Sequence, residues 1–310
     1  PLPPEPEPVL NDGHRLGDTL RPVTLARELW HRLEHVHAVV YFAPQCDEAL
    51  RATGLRGFWM GYFAGRAAPM GAVDAPLVAA TFFNFHPDMV RRSIPDAWSY
   101  ATPADVLEAR RTSSITVLRE VVPDIDGAAR AALPLLRPVI AGLHDEGRPL
   151  CAANRALDPG DDPVGELWQH ATTLREHRGD GHVALLTAAG LDGCEAHVVA
   201  AAAKGLPRDM VLRARGWSED DWTRAVDDLR ARGWIDTTGG LTDEGRVRYE
   251  EIERRTDELA MRPYEVLGTR VQELVDLLTP MRDAVVVSGV IPYPNPMGLP
   301  PHLDDDVNAG

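Results

Sequence analysis

At 310 residues with 44% apolar content, the chain is long enough for two compact domains or one large one. Its 32 Lys and Arg against 47 Asp and Glu leave a net charge of −15, which repels polyanions such as DNA, RNA and anionic membrane surfaces. Cys46, Cys151 and Cys194 lie far apart in no CxxC pattern, which argues against a disulfide framework or a cysteine-rich zinc site and points to a reducing cytoplasm. The opening PLPPEPEPVLNDG has neither a basic start nor an apolar run. No stretch approaches the ~20 apolar residues that span a bilayer, so a soluble intracellular protein is expected.

In chain order, residues 1–20 are rich in proline, glycine and acids and read as a disordered tail. From Thr24 a helix is predicted, with Leu25, Leu29, Trp30, Leu33, Val36, His37 and Val40 at helical spacing and Pro44 closing it. Further helices are predicted at 45–52, 56–67, 74–84, 87–93 and 103–121, the last behind the cap-like Thr102-Pro103 pair, with one more helix and an exit across 123–150. The turn-rich DPGDDPVGE at 158–166 marks a boundary. Beyond it helices are predicted at 166–177, 181–189, 193–203, 207–214 and 218–232, then a short hairpin about Thr238-Gly239-Gly240, a long helix from Thr242 and a last one over 263–287.

The fold class is therefore mainly α, in two helical halves. Residues 21–157 form a helical, aromatic-rich domain, 158–262 a winged-helix domain with a short β-hairpin wing, and 263–310 a C-terminal helix with a proline-rich tail. The triplet ELW occurs at 28–30 and 166–168, and a Gly-Leu-x-Gly turn follows each copy, which makes the first half a candidate degenerate duplicate that has lost its wing.

A helix that reads DNA presents Arg, Lys, Asn or Gln to base edges and further basic groups to phosphate. The corresponding helix here opens with Glu219, Asp220 and Asp221 and adds Asp227 and Asp228, against Arg224, Arg230 and Arg232. The wing segment IDTTGGLTDEGR has no Lys or Arg at its tip. DNA is therefore not the expected partner. Trp222, Ala225, Val226, Leu229 and Trp234 supply an apolar stripe for a core instead.

All six phenylalanines fall between Phe42 and Phe85, joined by Tyr41, Trp59, Tyr62, Trp98 and Tyr100. Such rings build cores, but rings with a few polar groups also line small-molecule pockets. Gly57, Gly61 and Gly65 form a flat helical stripe with Arg66 beside it. Trp59, Tyr62, Arg66, Phe83 and His86 are accordingly candidate ligand-binding residues. His31 and His35 have the spacing of two metal ligands on one helical face, yet no HExxH motif accompanies them and no metal site is assigned.

The densest polar cluster is REHRGDGH at 175–182, predicted to turn at its glycines with Asp180 capping the next helix. Imidazole titrates near neutral pH and a carboxylate can orient its proton, so His177, Asp180 and His182 are candidate acid–base groups and Arg175 a ligand anchor. No Walker loop, GxGxxG, GxSxG or cysteine nucleophile with a base is present, and no cofactor is identified.

The stretches HAVVYFAP, GLRGFWMGYFAGRAAPMG, REHRGDGHVALL, RGWSEDDW and IPYPNPMGLP resemble an actinobacterial SalTa-like helix-turn-helix family with members near natural-product gene clusters, over about residues 22–300. That resemblance implies a winged-helix element in the second half. Residues 215–258 also resemble MarR-type (multiple-antibiotic-resistance-type) regulators in their RGW…LTDEGR pattern, departing at the acidic recognition turn. The reading expected from all of this is a small-molecule-binding protein, a candidate natural-product biosynthetic or modifying enzyme with its pocket between the halves. The alternative is a ligand-responsive transcription regulator, homodimeric through its terminal helices.

Overall fold

The computed structural model describes residues 17–303, with side chains from Leu25 onward. Residues 1–16 of the expected tail, the side chain of Thr24 and the last residues, 304–310, lie outside this description. The chain folds as α1 (Gly17–Phe42), α2 (Pro44–Ala52), α3 (Gly57–Ala67), α4 (Ala75–Phe82), α5 (Pro87–Arg91), α6 (Pro103–Val121), α7 (Ile125–Ala141), α8 (Pro149–Arg155), α9 (Pro163–Ala188), α10 (Gly193–Lys204), α11 (Arg208–Arg215), α12 (Glu219–Ala231), α13 (Asp243–Met261) and α14 (Val271–Ser288). Short 3-10 turns at Ala68–Met70, Asp96–Ser99 and Arg262–Arg270 join them. The mainly helical class follows, and α1 starts seven residues ahead of the expected Thr24.

Local chemistry explains the helix starts. Thr102 and Asp105 form a reciprocal capping box on α6, as do Asp192 with Glu195 on α10 and Ser218 with Asp221 on α12. Asp162 caps α9 with Pro163 at its first position. Three apolar clusters then hold the helices together. The largest surrounds Trp168 and draws on α1, α6, α7, α9 and α14, so it takes residues from both sides of the 158–166 segment. The second gathers Phe63, Phe82, Phe85 and Ile94 around α3, α4 and α5. The third packs Trp222, Leu229 and Trp234 with Val198, Val199 and Leu212 across α10, α11 and α12. Each fully buried large side chain contributes roughly 1.5–3 kcal/mol.

Helices α11 and α12 meet across Gly216, whose φ of +77° ends α11 in the left-handed conformation and whose missing side chain leaves room for Met89. The wing expected after them does not form. No strand occurs among the described residues, and only an isolated antiparallel bridge joins Ile235 to Leu241. The pairing stops there: the Asp236 amide donates to the Gly240 carbonyl (2.9 Å) and the Thr242 amide to the Trp234 carbonyl (3.0 Å), while the Asp236 carboxylate closes the tip by accepting from the amides of Thr238 (2.7 Å) and Gly240 (3.1 Å).

Two more expectations change. The predicted break inside REHRGDGH is absent, because α9 runs unbroken through Gly179, Asp180 and Gly181. Gly181 serves a close contact: a side chain there would stand 2.7 Å from the Arg148 guanidinium. Across 123–150 the expected helix and exit are α7 and the segment after it, but a further short helix, α8, follows before the 158–166 segment, and the final helix starts at Val271 after the 3-10 run.

Candidate functional site

A cavity of about 260 Å³ opens where α1, α9, the 82–85 loop, the helix-turn-helix and the C-terminal segment meet. Its walls follow from helical geometry. Successive residues on a helix turn by about 100°, so Arg175, Gly179, His182 and Leu186 share one face of the continuous α9. Arg27, Trp30 and Glu34 form the matching stripe on α1. The first half adds Tyr62, Phe82, Phe83 and Phe85, the helix-turn-helix adds His197, Lys204 and Arg215, and Pro296–Leu299 closes the remaining side. A neighbouring recess of about 30 Å³ shares Tyr62 and Arg66 and reaches His37, Arg110 and Trp168.

Two closed ion clusters are built into these walls. In the first, Arg66 grips Glu176 with both its Nε and Nη2 at 3.1 Å, and Arg175 reaches Glu176 at 2.7 Å and Glu34 at 3.3 Å. Burial alone would raise the Glu176 pKa, but Arg175 and Arg66 outweigh it and hold the carboxyl well below the usual range. Glu34 goes the other way, because burial, joined by the charge of Glu176, exceeds the pull of Arg175 and Arg178. In the second cluster Arg178 and Arg27 share Asp257, at 2.7 and 3.0 Å, and Arg27 continues to Glu253 at 3.1 Å.

Three charged side chains of the cavity stand outside these clusters. Asp180 accepts from the amides of Cys151 (2.9 Å) and Leu150 at the first turn of α8, and burial still pushes its pKa up to about 6. Lys204 has no carboxylate within ion-pairing distance among the described residues. Arg215, 8% exposed, lies over the Phe85 ring at 4.6 Å, donates from Nη2 to the Pro296 carbonyl at 2.7 Å and leaves Nε unpartnered. Burial lowers its pKa; Tyr62 opposes that, and Arg66 and Arg175 add to it.

Of the residues expected from the sequence, Tyr62, Arg66, Phe83, Arg175, Asp180 and His182 reach this cavity. Trp59, His86 and His177 do not. Trp59 packs edge-on against Tyr62 and Phe85 inside the aromatic cluster. His86 caps α5 through its Nδ1 and sets its ring 5.0 Å from Trp217. His177 lies about 200° around α9 from Arg175, where its carbonyl accepts from Arg148. His182 bonds Thr256 at 3.0 Å, and burial lowers its pKa to about 4, so at neutral pH it is an uncharged ring. A side chain at Gly61 or Gly65 would stand 3.5 or 3.8 Å from Leu50 of α2, so the stripe is a helix-packing surface. His35 is held by the His31 carbonyl and the Tyr293 hydroxyl, and no group of three or more metal-ligating side chains gathers among the described residues.

Arg215, Lys204, Arg27, Glu34 and the C-terminal wall escaped the sequence reading. One signal was available for Arg215: it stands four residues after Val211 and three after Leu212, on the buried face of α11.

The cavity and the helix-turn-helix touch directly. Phe83 adopts φ +61° and ψ −56°, and the Asn84 amide bonds back to the Phe82 carbonyl at 2.7 Å, a γ-turn of the rare positive-φ kind. The turn aims the Asn84 carbonyl at His197 (3.0 Å) and Trp217 (3.1 Å), while the His86 amide donates to the Arg215 carbonyl at 2.9 Å. On the outer side of α12, Arg224 pairs with Asp221, Arg230 with Asp227, and Arg208 of α11 with Glu219.

No single helix among the described residues is long and apolar enough to cross a membrane. No curated protein and no solved structure matches the chain. A family model described as a helix-turn-helix family matches residues 26–292.

Proposed function

The chain belongs to a helix-turn-helix family over residues 26–292, and from that premise we propose that it binds a small organic molecule in the cavity its helix-turn-helix helps to wall. The observation that supports this reading is the cavity itself, about 260 Å³ with rings from one half and a cluster of charged groups from the other. That composition suits a ligand whose body is apolar and whose orientation a few polar contacts fix. In a natural-product biosynthetic or modifying enzyme, Asp180 and His182 would be the acid–base candidates, since both reach the cavity and one titrates near pH 6. His177 would serve the packing of α8 on α9.

Native mass spectrometry of the full chain tests the proposal. Wild-type protein retains a non-covalent small molecule that denaturation releases. An Ala200→Phe variant, which fills the cavity from α10, loses it while keeping its helical circular dichroism. Equal retention by both proteins refutes binding at this place.

One observation favours a second reading, a ligand-responsive regulator: Phe83 and Arg215 line the cavity and also bear on α10–α12. The acidic outer face of α12 opposes it. A gel shift on the DNA upstream of the gene separates the two readings, because specific binding that weakens steeply with salt would support the regulator.

A further inference from the structure

We infer that the occupant of the cavity is an organic anion, its charged head held by Arg215 beside Arg66 and Arg175 and its body laid against Phe82, Phe83 and Phe85. The inference rests on the binding reading above and supplies the class of ligand.

The argument is one of charge. The molecule as a whole carries −15, yet this cavity is cationic. Arg66 and Arg175 are matched by Glu176 and Glu34, and Arg178 and Arg27 by Asp257 and Glu253. Once those pairs are set aside, Arg215 and Lys204 remain against Asp180 alone, whose carboxyl already accepts two backbone amides. A neutral Glu34 or Asp180 increases the excess. Arg110, in the adjoining recess, adds another guanidinium bonded only to the Gly65 carbonyl and the Asn154 amide oxygen.

Arg215 is where this excess is most exacting. It is more than nine-tenths buried, no carboxylate among the described residues pairs with it, and its Nε lacks any acceptor. Two further guanidiniums are near enough to repel its charge. A buried cation without a counter-charge is costly unless a partner arrives from outside the chain. A guanidinium matches a carboxylate, sulfonate or phosphate oxygen pair better than any neutral group. The Phe85 ring, 4.6 Å from the guanidinium carbon, adds a cation–π contact that covers one side of it.

The test uses the full chain with 2-naphthoate and 2-naphthamide as probes, a pair of equal shape that differ in charge, titrated by calorimetry. Wild-type protein is expected to bind the acid at least about tenfold more tightly than the amide, with a preference that shrinks as sodium chloride is added. Arg215→Met should bring the acid down toward the affinity of the amide, and Arg215→Lys should retain part of the preference. Equal wild-type affinities overturn the anion inference and leave the binding reading standing. Failure of both probes to bind overturns the two together. An undiminished preference in Arg215→Met overturns the assignment of the head to Arg215. If that variant does not fold, the wild-type comparison and its salt dependence decide the matter.

Discussion

Glu176 has a fully buried carboxylate shared by two guanidiniums, and this arrangement sets what its loss does. Glu176→Gln removes the charge and keeps the shape, leaving Arg66 and Arg175 facing each other with only Glu34 between them. Breaking a buried pair from one side costs about 3–5 kcal/mol, so urea unfolding should move to a markedly lower midpoint with an unchanged slope. Because its folded pKa lies below the unfolded value, the stability Glu176 confers is complete above the ordinary Glu range and is lost as pH falls beneath it. A variant as stable as wild type would show that water already solvates this cluster. At this scale the sequence disclosed part of the site. Arg175, Asp180 and His182 were visible because polar residues crowd one short stretch, and Tyr62 and Phe83 because rings do. Arg215 and Glu34 were not, since nothing in LRARGW or HRLEHVH sets either apart from its neighbours and each finds its meaning only through partners distant in the chain.

Helix α9 shows what an element adds to its residues. Two glycines about an aspartate have the composition of a turn, and local propensity alone would end the helix there. Packing overrides it, as Arg148 occupies the space above Gly181 and Asp180 caps α8. Helix α12 was legible because its capping box and apolar stripe agree; the expected wing did not appear because its pairing goes no further than the single bridge between Ile235 and Leu241. Two glycine variants separate packing from propensity. A side chain at Gly179 meets only Glu176 Oε2 at 3.7 Å, so Gly179→Ala should raise stability by up to about 1 kcal/mol through helix propensity. It should also narrow the cavity and weaken 2-naphthoate binding. At Gly193 the same methyl would stand 2.3 Å from the Phe83 carbonyl and 3.2 Å from Trp217, where backbone and not a flexible tip must yield. Gly193→Ala should therefore cost about 1–3 kcal/mol and shift the Trp217 emission as the 83–86 loop lifts from the helix-turn-helix. Unchanged emission and stability would mean that the loop gives way freely.

Across the whole molecule, histidines are placed where they must stay neutral. His31, His177 and His197 have pKa values lowered to about 3, and His35 and His182 to about 4, with burial the largest cause in each. They belong to different parts of the structure: the α1 interface with the C-terminal segment, the α8 contact, and the cavity wall. The sign of their joint effect follows from linkage. Between the unfolded value of 6.5 and these folded values the unfolded chain binds more protons than the native one, so stability is complete above pH 6.5 and declines as pH falls toward 4. Asp180, with its raised pKa of about 6, and Glu34, also raised by burial, run the other way, but against them stand these five histidines together with His37 and His170, which burial lowers as well. Glu253, at about 2, and Glu176, held well below the usual carboxylate range, stay out of this window. Urea midpoints at about pH 7.5 and about pH 5 should therefore differ by the equivalent of several kcal/mol, the lower pH being less stable. Phe or Gln at His35 should flatten part of that dependence, whereas a midpoint indifferent to pH over this window would show the imidazoles to be hydrated and charged in the native protein.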